Sequence, residues 1–293
     1  MSLPFRLCAA AGICALGVRL CTAQITITDD LQRTVTLPRP AQRIVSLAPS
    51  ITESLFAIGA GDRIAGVTTY CNYPPAAASK PRVGGMTTPS IESIVALHPD
   101  LVLVSMEGNL HDDFARLRDL RIPVAVSNPR TLDGIFRSLT ILGRLTGTTD
   151  SASHLIAALR QRVDTIVRRN GTQPARTLLF VSLQPLITAG AGTFIDELVR
   201  QAGGVNLAAQ TALTYPTLSR EAVIAYDPDV LLVMSDVVSS TDAVTALYPE
   251  WARLTAVRAG RIYRLDADLI SRPGPRAVDG LQLLSSLFHR NTP

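Results

Sequence analysis

A short segment of this sequence occurs twice, and the two copies restrict the possible fold more than any other feature. Residues 91–104 read IESIVALHPDLVLV and residues 220–233 read REAVIAYDPDVLLV. In each copy a serine stands two residues before a glutamate, and the glutamate stands seven residues before a Pro-Asp pair that leads into an apolar run. Serine is favoured at the start of a helix, and proline ends one. Each copy therefore predicts a capped helix, a break and a buried strand.

Other short runs rich in Val, Ile and Leu predict further strands around the two copies. Runs that are apolar on both faces are typical of parallel strands covered by helices. The predicted strands form two sets, which are 44–47, 64–67, 101–105 and 124–127, followed by 177–182, 230–234 and 262–265. The sequence therefore predicts an α/β fold with two Rossmann-like lobes, each with a central, mostly parallel sheet. Lobes of similar design are expected to face each other across a cleft, where α/β sheets bind ligands.

One long helical pattern lies between the two sets of strands, at about residues 150–169. Its apolar face comprises Leu155, Ile156, Leu159, Val163, Ile166 and Val167. Asp150 or Ser151 can cap its start, and Asn170-Gly171 ends it. A helix of this length spans about 30 Å and predicts a rigid brace between lobes. The expected divisions are an N-terminal lobe at 24–147, a bridging helix at 148–171 and a C-terminal lobe at 172–293.

Residues 1–23 have the pattern of a secretory signal peptide. Arg6 precedes an apolar run at 7–18, and Cys21-Thr22-Ala23 offers small residues for cleavage after Ala23. The run is too short to span a bilayer. Two alternatives are a lipid anchor at Cys21, which the bulky Leu20 disfavours, and a buried N-terminal helix. We expect an exported, periplasmic protein.

Charge and cysteine usage exclude some classes of function. The sequence holds 28 basic and 24 acidic residues, a net charge of +4, and removal of the two arginines of the leader leaves +2. This charge, without any Lys/Arg run, gives no basis for nucleic-acid binding. Only Cys71 lies beyond the leader. We therefore expect no internal disulfide, and Cys71 is expected to be a small buried residue.

Motifs for catalysis are absent from the sequence. There is no Gly-x-Ser-x-Gly, Walker or His-Glu-x-x-His motif, and the four histidines show no metal-ligand spacing. Gly190-Ala191-Gly192 enters a predicted helix and could face an anion, but a structural turn is the favoured interpretation. An enzyme needs a nucleophile with a positioned base, and none can be assembled. A binding protein without a metal or cofactor of its own is expected.

Several side chains with binding chemistry occur in predicted loops at the cleft. Tyr70 and Tyr73 follow a predicted strand. Tyr215 precedes the second repeat copy, as Met86 precedes the first. A single tyrosine of this kind is usually a half-buried packing residue. Matched positions in both lobes favour a role in lining the cleft.

Two charged residues follow the last predicted strand. Asp268 and Arg272 could pair with each other on the surface, where a salt bridge contributes little. At the mouth of a cleft they would instead orient a ligand.

Four segments of the sequence resemble a known family. The run Arg-Ile-Val-Ser-Leu-Ala-Pro at 43–49, then Thr52-Glu53, Tyr73-Pro74-Pro75 and Ile-Val-Ala-Leu-x-Pro-Asp at 94–100, resembles the helical-backbone periplasmic binding proteins. These proteins serve importers of cobalamin, haem and ferric siderophores. The resemblance extends from about residue 43 to the C-terminal helix, and it is greatest to the cobalamin-binding members.

That resemblance implies a ligand and the residues that contact it. Corrinoid contacts fall on Tyr70, Tyr215, Asp268 and Arg272, with Tyr73 beside them. Two tryptophan contacts of the family align with Met86 and Ser105; a thioether can still cover an apolar face, whereas a serine cannot. The expected ligand is cobalamin or a related corrinoid, and haem or a ferric siderophore is the alternative.

The same resemblance implies a partner. Glu92 and Glu221 match two glutamates, one in each lobe, that dock onto arginines of a permease dimer. The expected function is that of a monomeric binding protein that delivers its ligand to the permease and ATPase of an ABC importer. A periplasmic sensor that docks to a receptor is a further alternative.

Overall fold

The structure is a computed structural model that describes residues 24–106 and 111–289. The predicted signal peptide at 1–23 lies outside the described residues. The strands of the N-terminal lobe are β1 (Ile25–Thr28), β2 (Thr34–Leu37), β3 (Ile44–Ser46), β4 (Ile64–Val67), β5 (Leu101–Val104) and β6 (Val124–Val126). Its helices are α1 (Pro49–Ala57), α2 (Ile91–Ala96), α3 (His111–Asp119) and α4 (Leu132–Thr146).

The main sheet of the N-terminal lobe is parallel throughout. Its strand order is β4-β3-β5-β6, while β1 and β2 form a separate antiparallel hairpin. Every residue of β5 is buried, in keeping with helices on both faces of the sheet. All four carboxyl ends therefore lie at one edge of the sheet.

The C-terminal lobe is built on a second sheet. The strands are β7 (Ala175–Leu183), β8 (Leu186–Thr188), β9 (Gly204–Asn206), β10 (Val230–Met234) and β11 (Ile262–Leu265). The helices are α6 (Phe194–Gln201), α7 (Arg220–Tyr226), α8 (Thr241–Leu247), α9 (Thr255–Arg258), α10 (Ala267–Ser271) and α11 (Ala277–Phe288), while α5 (Thr149–Val167) precedes this lobe. The strand order is β11-β10-β7-β8 with β9 also paired to β7, and only β8 runs antiparallel. The predicted α/β fold with two mostly parallel sheets is confirmed.

All seven predicted strands are present, with small differences at their ends. Leu47, Ser105 and Ser127 lie just beyond the strands predicted to contain them. The backbone N–H groups of Leu47 and Ser127 still donate to neighbouring strands, which explains their strand-like pattern. Four short strands were not predicted: β1, β2, β8 and β9.

Helix α5 lies between the lobes in sequence and contacts both of them. It packs against α4 on one side and α11 on the other. Leu159 and Ile166 are buried, but Val167, predicted on the same face, is 38% exposed because it is the last residue of the helix. The predicted caps are wrong, since Asp150 and Ser151 both lie inside the helix.

Two glycines allow α4 and α5 to pack closely. Gly147 ends α4 with a φ of 69°, a conformation that favours glycine. A Cβ atom added to Gly143 would lie 2.8 Å from the Cβ of Ala152 on α5, closer than two carbons can approach. The short connection and the small side chain together fix α5 against the N-terminal lobe.

The hydrophobic core is continuous between the lobes. One buried cluster contains Leu139 and Leu145 of α4, Leu159 of α5, and Leu198 and Leu281 of the C-terminal lobe. Two further clusters lie on the other faces of the sheets, one in each lobe. Among the described residues, no helix combines the length and the apolar character needed to cross a membrane.

The two repeat copies have equivalent structures. Each forms a helix, α2 or α7, followed by the central strand β5 or β10. Asp100 accepts a hydrogen bond from the backbone of Arg43, whose side chain donates to the carbonyl of Leu97. Asp229 accepts in the same way from the backbone of Arg176. The Pro-Asp pair therefore joins each repeat helix to the strand beside it.

Candidate functional site

The loops after the edge strands β4 and β11 meet between the lobes. Tyr70 and Tyr73 lie on the first loop and are 59% and 43% exposed. Asn72, between them, donates through Nδ2 to Oδ2 of Asp268 at 2.8 Å. The guanidinium of Arg272 donates to the carbonyl oxygen of Tyr70 at 3.3 Å. Four predicted site residues are thus brought together at one end of the cleft.

Buried contacts hold the Tyr70 loop in place. The Sγ atom of Cys71 lies 3.2 Å from the hydroxyl groups of both Thr52 and Thr68. Arg82 donates to the carbonyl oxygens of Thr68 and Cys71, at 2.7 and 2.9 Å. The free, buried Cys71 is as predicted. Anchoring on both sides of Tyr70 leaves its exposed ring on a fixed backbone.

A buried carboxylate joins the lobes beneath these side chains. Glu53 of α1 accepts from Nη1 of Arg272 at 2.9 Å, and from Nε and Nη2 of Arg276 at 2.8 Å each. The side chain of Glu53 is only 2% exposed. Hydrogen bonds to this carboxylate raise the pKa of Arg276 above its ordinary value. We call Glu53, Arg272 and Arg276 the interlobe clasp.

Both terminal nitrogens of Arg272 are bonded to protein groups, of which Glu53 of the clasp is one. Its terminal nitrogens also contact Oδ1 of Asn72 at 2.7 Å and Oδ1 of Asp268 at 2.5 Å. The predicted pairing of Asp268 with Arg272 is therefore present, but it lies between the lobes. Protein acceptors occupy both terminal nitrogens, so a ligand that binds Arg272 through either of them must replace one of these acceptors.

Tyr73 and Met86 are less available than Tyr70. The guanidinium carbon of Arg276 lies 4.0 Å from the ring centre of Tyr73 and covers one face of the ring. Met86 is half-buried and packs against the main core. These two predicted site residues therefore offer only part of their surface to a ligand.

The opposite end of the cleft lies beside the other edge strands, β6 and β8. It holds a pocket of about 440 Å³, lined by Arg130, Gly192, Thr193, Thr214 and Tyr215. Arg130 belongs to the N-terminal lobe and the rest to the C-terminal lobe. Tyr215 is 48% exposed here. Tyr70 and Tyr215 thus lie on opposite lobes.

The glycine-rich turn before α6 is structural, as the sequence favoured. Thr193 caps the helix by accepting from the backbone N–H of Asp196 at 3.1 Å. The backbone N–H of Gly192 points to the carboxylate of Asp196, at 3.4 Å. Since Asp196 and Glu197 already supply negative charge to the helix start, this turn does not need an external anion.

The two glutamates predicted to dock lie at equivalent, exposed positions. Glu92 and Glu221 each lie in the first turn of a repeat helix. Ser90 and Ser219 cap these helices, each accepting from a backbone N–H at 3.1 Å. Hydrogen bonds from its own backbone N–H and from Ser219 lower the pKa of Glu221. Each lobe therefore presents one acidic group to solvent.

Sequence reasoning did not assign a role in the site to Glu53, Asn72, Arg276 or Arg130. One signal for Glu53 was available, because it is the only charged residue in α1, whose residues are otherwise mostly buried. Among the described residues, no cluster of three or more His, Cys, Asp and Glu could hold a metal ion.

Comparison with known proteins agrees with this architecture. The family model of the periplasmic binding proteins matches residues 44–269. The vitamin B12-binding protein of Vibrio cholerae is 33% identical over 247 residues, which cover 84% of this chain and 88% of that protein. The solved structure of the periplasmic vitamin B12-binding protein of Vibrio cholerae matches with a TM-score of 0.74 and 32% identity, over 86% of this chain and 98% of that one. The apo periplasmic haem-binding protein RhuT from Roseiflexus sp. RS-1 matches with a TM-score of 0.77 and 30% identity, over 85% and 98%. This chain belongs to the periplasmic binding protein family.

Proposed function

We propose that this protein binds cobalamin or a related corrinoid in the interlobe cleft and delivers it to an ABC importer. Membership of the family supports a binding protein and not an enzyme. The observation that carries the ligand is the pair of exposed rings, Tyr70 and Tyr215, on opposite lobes of a chain 33% identical to a vitamin B12-binding protein. Aromatic rings on both sides of a cleft can cover a flat macrocycle.

Titration with cyanocobalamin and with haemin tests the ligand. The sequence has one tryptophan, Trp251, which is buried, and a bound tetrapyrrole that absorbs at its emission wavelengths should quench it. Calorimetry gives the affinity; a Kd on the order of 1 nM corresponds to about −12 kcal/mol. Saturable binding of cyanocobalamin supports the proposal. No binding of cyanocobalamin, together with a Soret shift of haemin, would overturn it.

Haem is the second candidate, because a haem-binding protein of the same fold matches this chain at 30% identity. Tyrosine can serve as an axial ligand of haem iron. Tyr70 and Tyr73 are both exposed and lie in the same loop, so either hydroxyl could take that role. A ferric siderophore is a further outcome, which saturable binding in a titration with a ferric siderophore would reveal.

The partner in this proposal is a permease dimer with its ATPase, and Glu92 and Glu221 are its contacts. A two-lobed monomer that meets a two-fold permease needs one equivalent group from each lobe. Both glutamates are exposed on equivalent first turns. A sensor that docks to a receptor would use the same surface, and co-purification with a permease separates the two roles.

Export to the periplasm is part of the proposal. Cleavage after Ala23 would release the mature chain, whereas lipidation at Cys21 would anchor it. Intact mass measurement of the protein from soluble and membrane fractions distinguishes the two, because a lipid adds mass and the lipidated chain retains Cys21.

A further inference from the structure

The pocket at the Tyr215 end of the cleft holds an arginine whose charge the protein does not neutralise. Among the lining residues in the described part of the chain, only Arg130 carries a charge. It is exposed, and no acidic side chain among residues 24–106 and 115–289 lies within salt-bridge distance. Arg272 and Arg276, at the other end of the cleft, both pair with Glu53.

The two acids behind the glycine-rich turn that lines the pocket do not pair with Arg130. Asp196 and Glu197, behind the glycine-rich turn, both pair with Arg200. The hydroxyl of Thr193 donates to the carbonyl of Gly190 at 2.9 Å. These groups are committed to contacts within the C-terminal lobe, so they do not neutralise the charge of Arg130.

The backbone that carries Arg130 is held from both sides. The N–H of Asn128 donates to the carboxylate of Asp30, and Pro129 is buried. Thr131, the next residue, caps α4 by accepting from the backbone N–H of Gly134 at 3.0 Å. The side chain therefore starts from a fixed point at the cleft, and little backbone entropy is lost when it binds a group there.

We propose that Arg130 forms a subsite for an oxyanion of the ligand, and that this oxyanion is the phosphodiester of a corrinoid nucleotide loop. The inference rests on the proposed function. Amide groups, which are neutral, surround the corrin ring of cobalamin, and the phosphodiester is its one fixed anion. A guanidinium group offers two parallel N–H donors that match two phosphate oxygens. Tyr215 would cover the macrocycle while Arg130 binds the phosphodiester beside it.

Comparison of cyanocobalamin with dicyanocobinamide tests the subsite. Cobinamide keeps the corrin ring and its amides but lacks the phosphodiester and nucleotide. Arg130→Gln should weaken cyanocobalamin binding by about tenfold, the effect of one charge-assisted contact. Its affinity for cobinamide should change less than about twofold. Arg130→Lys keeps the charge without the paired donors. Its affinity for cyanocobalamin should lie between those of the unchanged protein and Arg130→Gln.

Arg137→Gln is the matched control, because Arg137 is also exposed and lies in the second turn of α4. It should leave both affinities unchanged. Equal losses for both corrinoids in Arg130→Gln, or no loss for cyanocobalamin, would overturn the subsite.

Failure of the proposed function gives a different result. If the unchanged protein binds haemin and no corrinoid, Arg130→Gln is compared on haemin and its dimethyl ester. Loss confined to haemin would keep an anion subsite that takes a propionate and would reject the phosphodiester. If Arg130→Gln changes the affinities for haemin and for its dimethyl ester equally, the subsite itself is rejected. It is also rejected if the unchanged protein binds neither class of tetrapyrrole.

Discussion

Arg272 and Glu53 are 219 residues apart in sequence, yet the guanidinium of one donates to the carboxylate of the other at 2.9 Å. Arg276 donates to the same carboxylate twice. The ion pair connects α1 of the N-terminal lobe to the segment between α10 and α11 of the C-terminal lobe. A predicted ligand contact, Arg272, is thus also a structural link between the lobes.

Glu53→Ala should lower the free energy of unfolding by about 3 kcal/mol, because two guanidinium groups lose their partner. The loss is limited by rehydration, since the side chains of Arg272 and Arg276 are 12% and 21% exposed. Urea denaturation measures it. The control, Glu250→Ala, removes a more exposed pair with Arg220 and should cost less than about 0.5 kcal/mol. Equal losses of unfolding free energy in Glu53→Ala and Glu250→Ala would show that the clasp adds no more stability than an exposed ion pair.

Tyr70→Ala and Tyr215→Ala should each weaken corrinoid binding by about tenfold, because each removes an aromatic face from the cleft. Calorimetry measures the affinities. The melting temperature should change little, since each tyrosine is about half exposed. Tyr70→Phe keeps the ring and should bind cyanocobalamin normally. A large loss in Tyr70→Phe would instead indicate a role for the hydroxyl, as expected of a haem ligand.

Opening of the cleft should be small, because α5 and a continuous core join the lobes. Gly143→Leu should weaken this link: its side chain meets Ala152 of α5, and such overpacking costs about 1–3 kcal/mol. Small-angle X-ray scattering of the ligand-free variant should give a larger radius of gyration than the unchanged protein. Ala157→Leu, on the exposed face of α5, is the control. It should change neither the stability nor the radius of gyration.

Asp227 should contribute to stability in a pH-dependent way. It accepts from the backbone N–H and the hydroxyl of Thr255, at 2.7 and 2.8 Å, and these bonds lower its pKa. The stabilisation should be complete above the ordinary value of about 3.9 and should be lost as pH falls through the lower folded value. Melting temperatures between about pH 6 and about pH 3 should therefore fall less steeply in Asp227→Asn.

Replacing both Glu92 and Glu221 by glutamine should weaken complex formation with the permease and leave ligand affinity unchanged. The effect should be greater at low salt, because exposed charges are screened at high salt. Glu250→Gln, which changes a different surface carboxylate, controls for the loss of charge. Pull-down at two salt concentrations measures the complex. Unaltered transport and complex formation would leave the glutamates with a role at the helix starts only, worth about 0.3–1 kcal/mol.

The parts of the fold that depend on local pattern could be predicted from the sequence. The repeat predicted α2, α7, β5 and β10, because helix caps, proline breaks and apolar runs act within a few residues. The hairpin of β1 and β2 was missed, since its residues alternate between buried and exposed over only four positions each. Strands β8 and β9 have three residues each, too few to show a period.

The candidate site was predictable only in part, because its key contacts join distant segments. Tyr70 and Tyr215 could be named as loop residues, and Asp268 and Arg272 could be named as a pair. Glu53 could not be matched to Arg272, since no local pattern links positions so far apart. Arg130 follows an ordinary strand, and no local pattern shows that Asp196 and Glu197 pair with Arg200 instead of with Arg130.

The core that passes through α4, α5 and α11 makes the two lobes depend on each other for folding. Division of the chain near residue 171 would expose apolar surface on both pieces. Neither half is therefore expected to fold as an independent module. Heating should accordingly give one calorimetric transition rather than two. A sensor built from this protein should therefore insert its reporter at a surface loop and leave the junction whole.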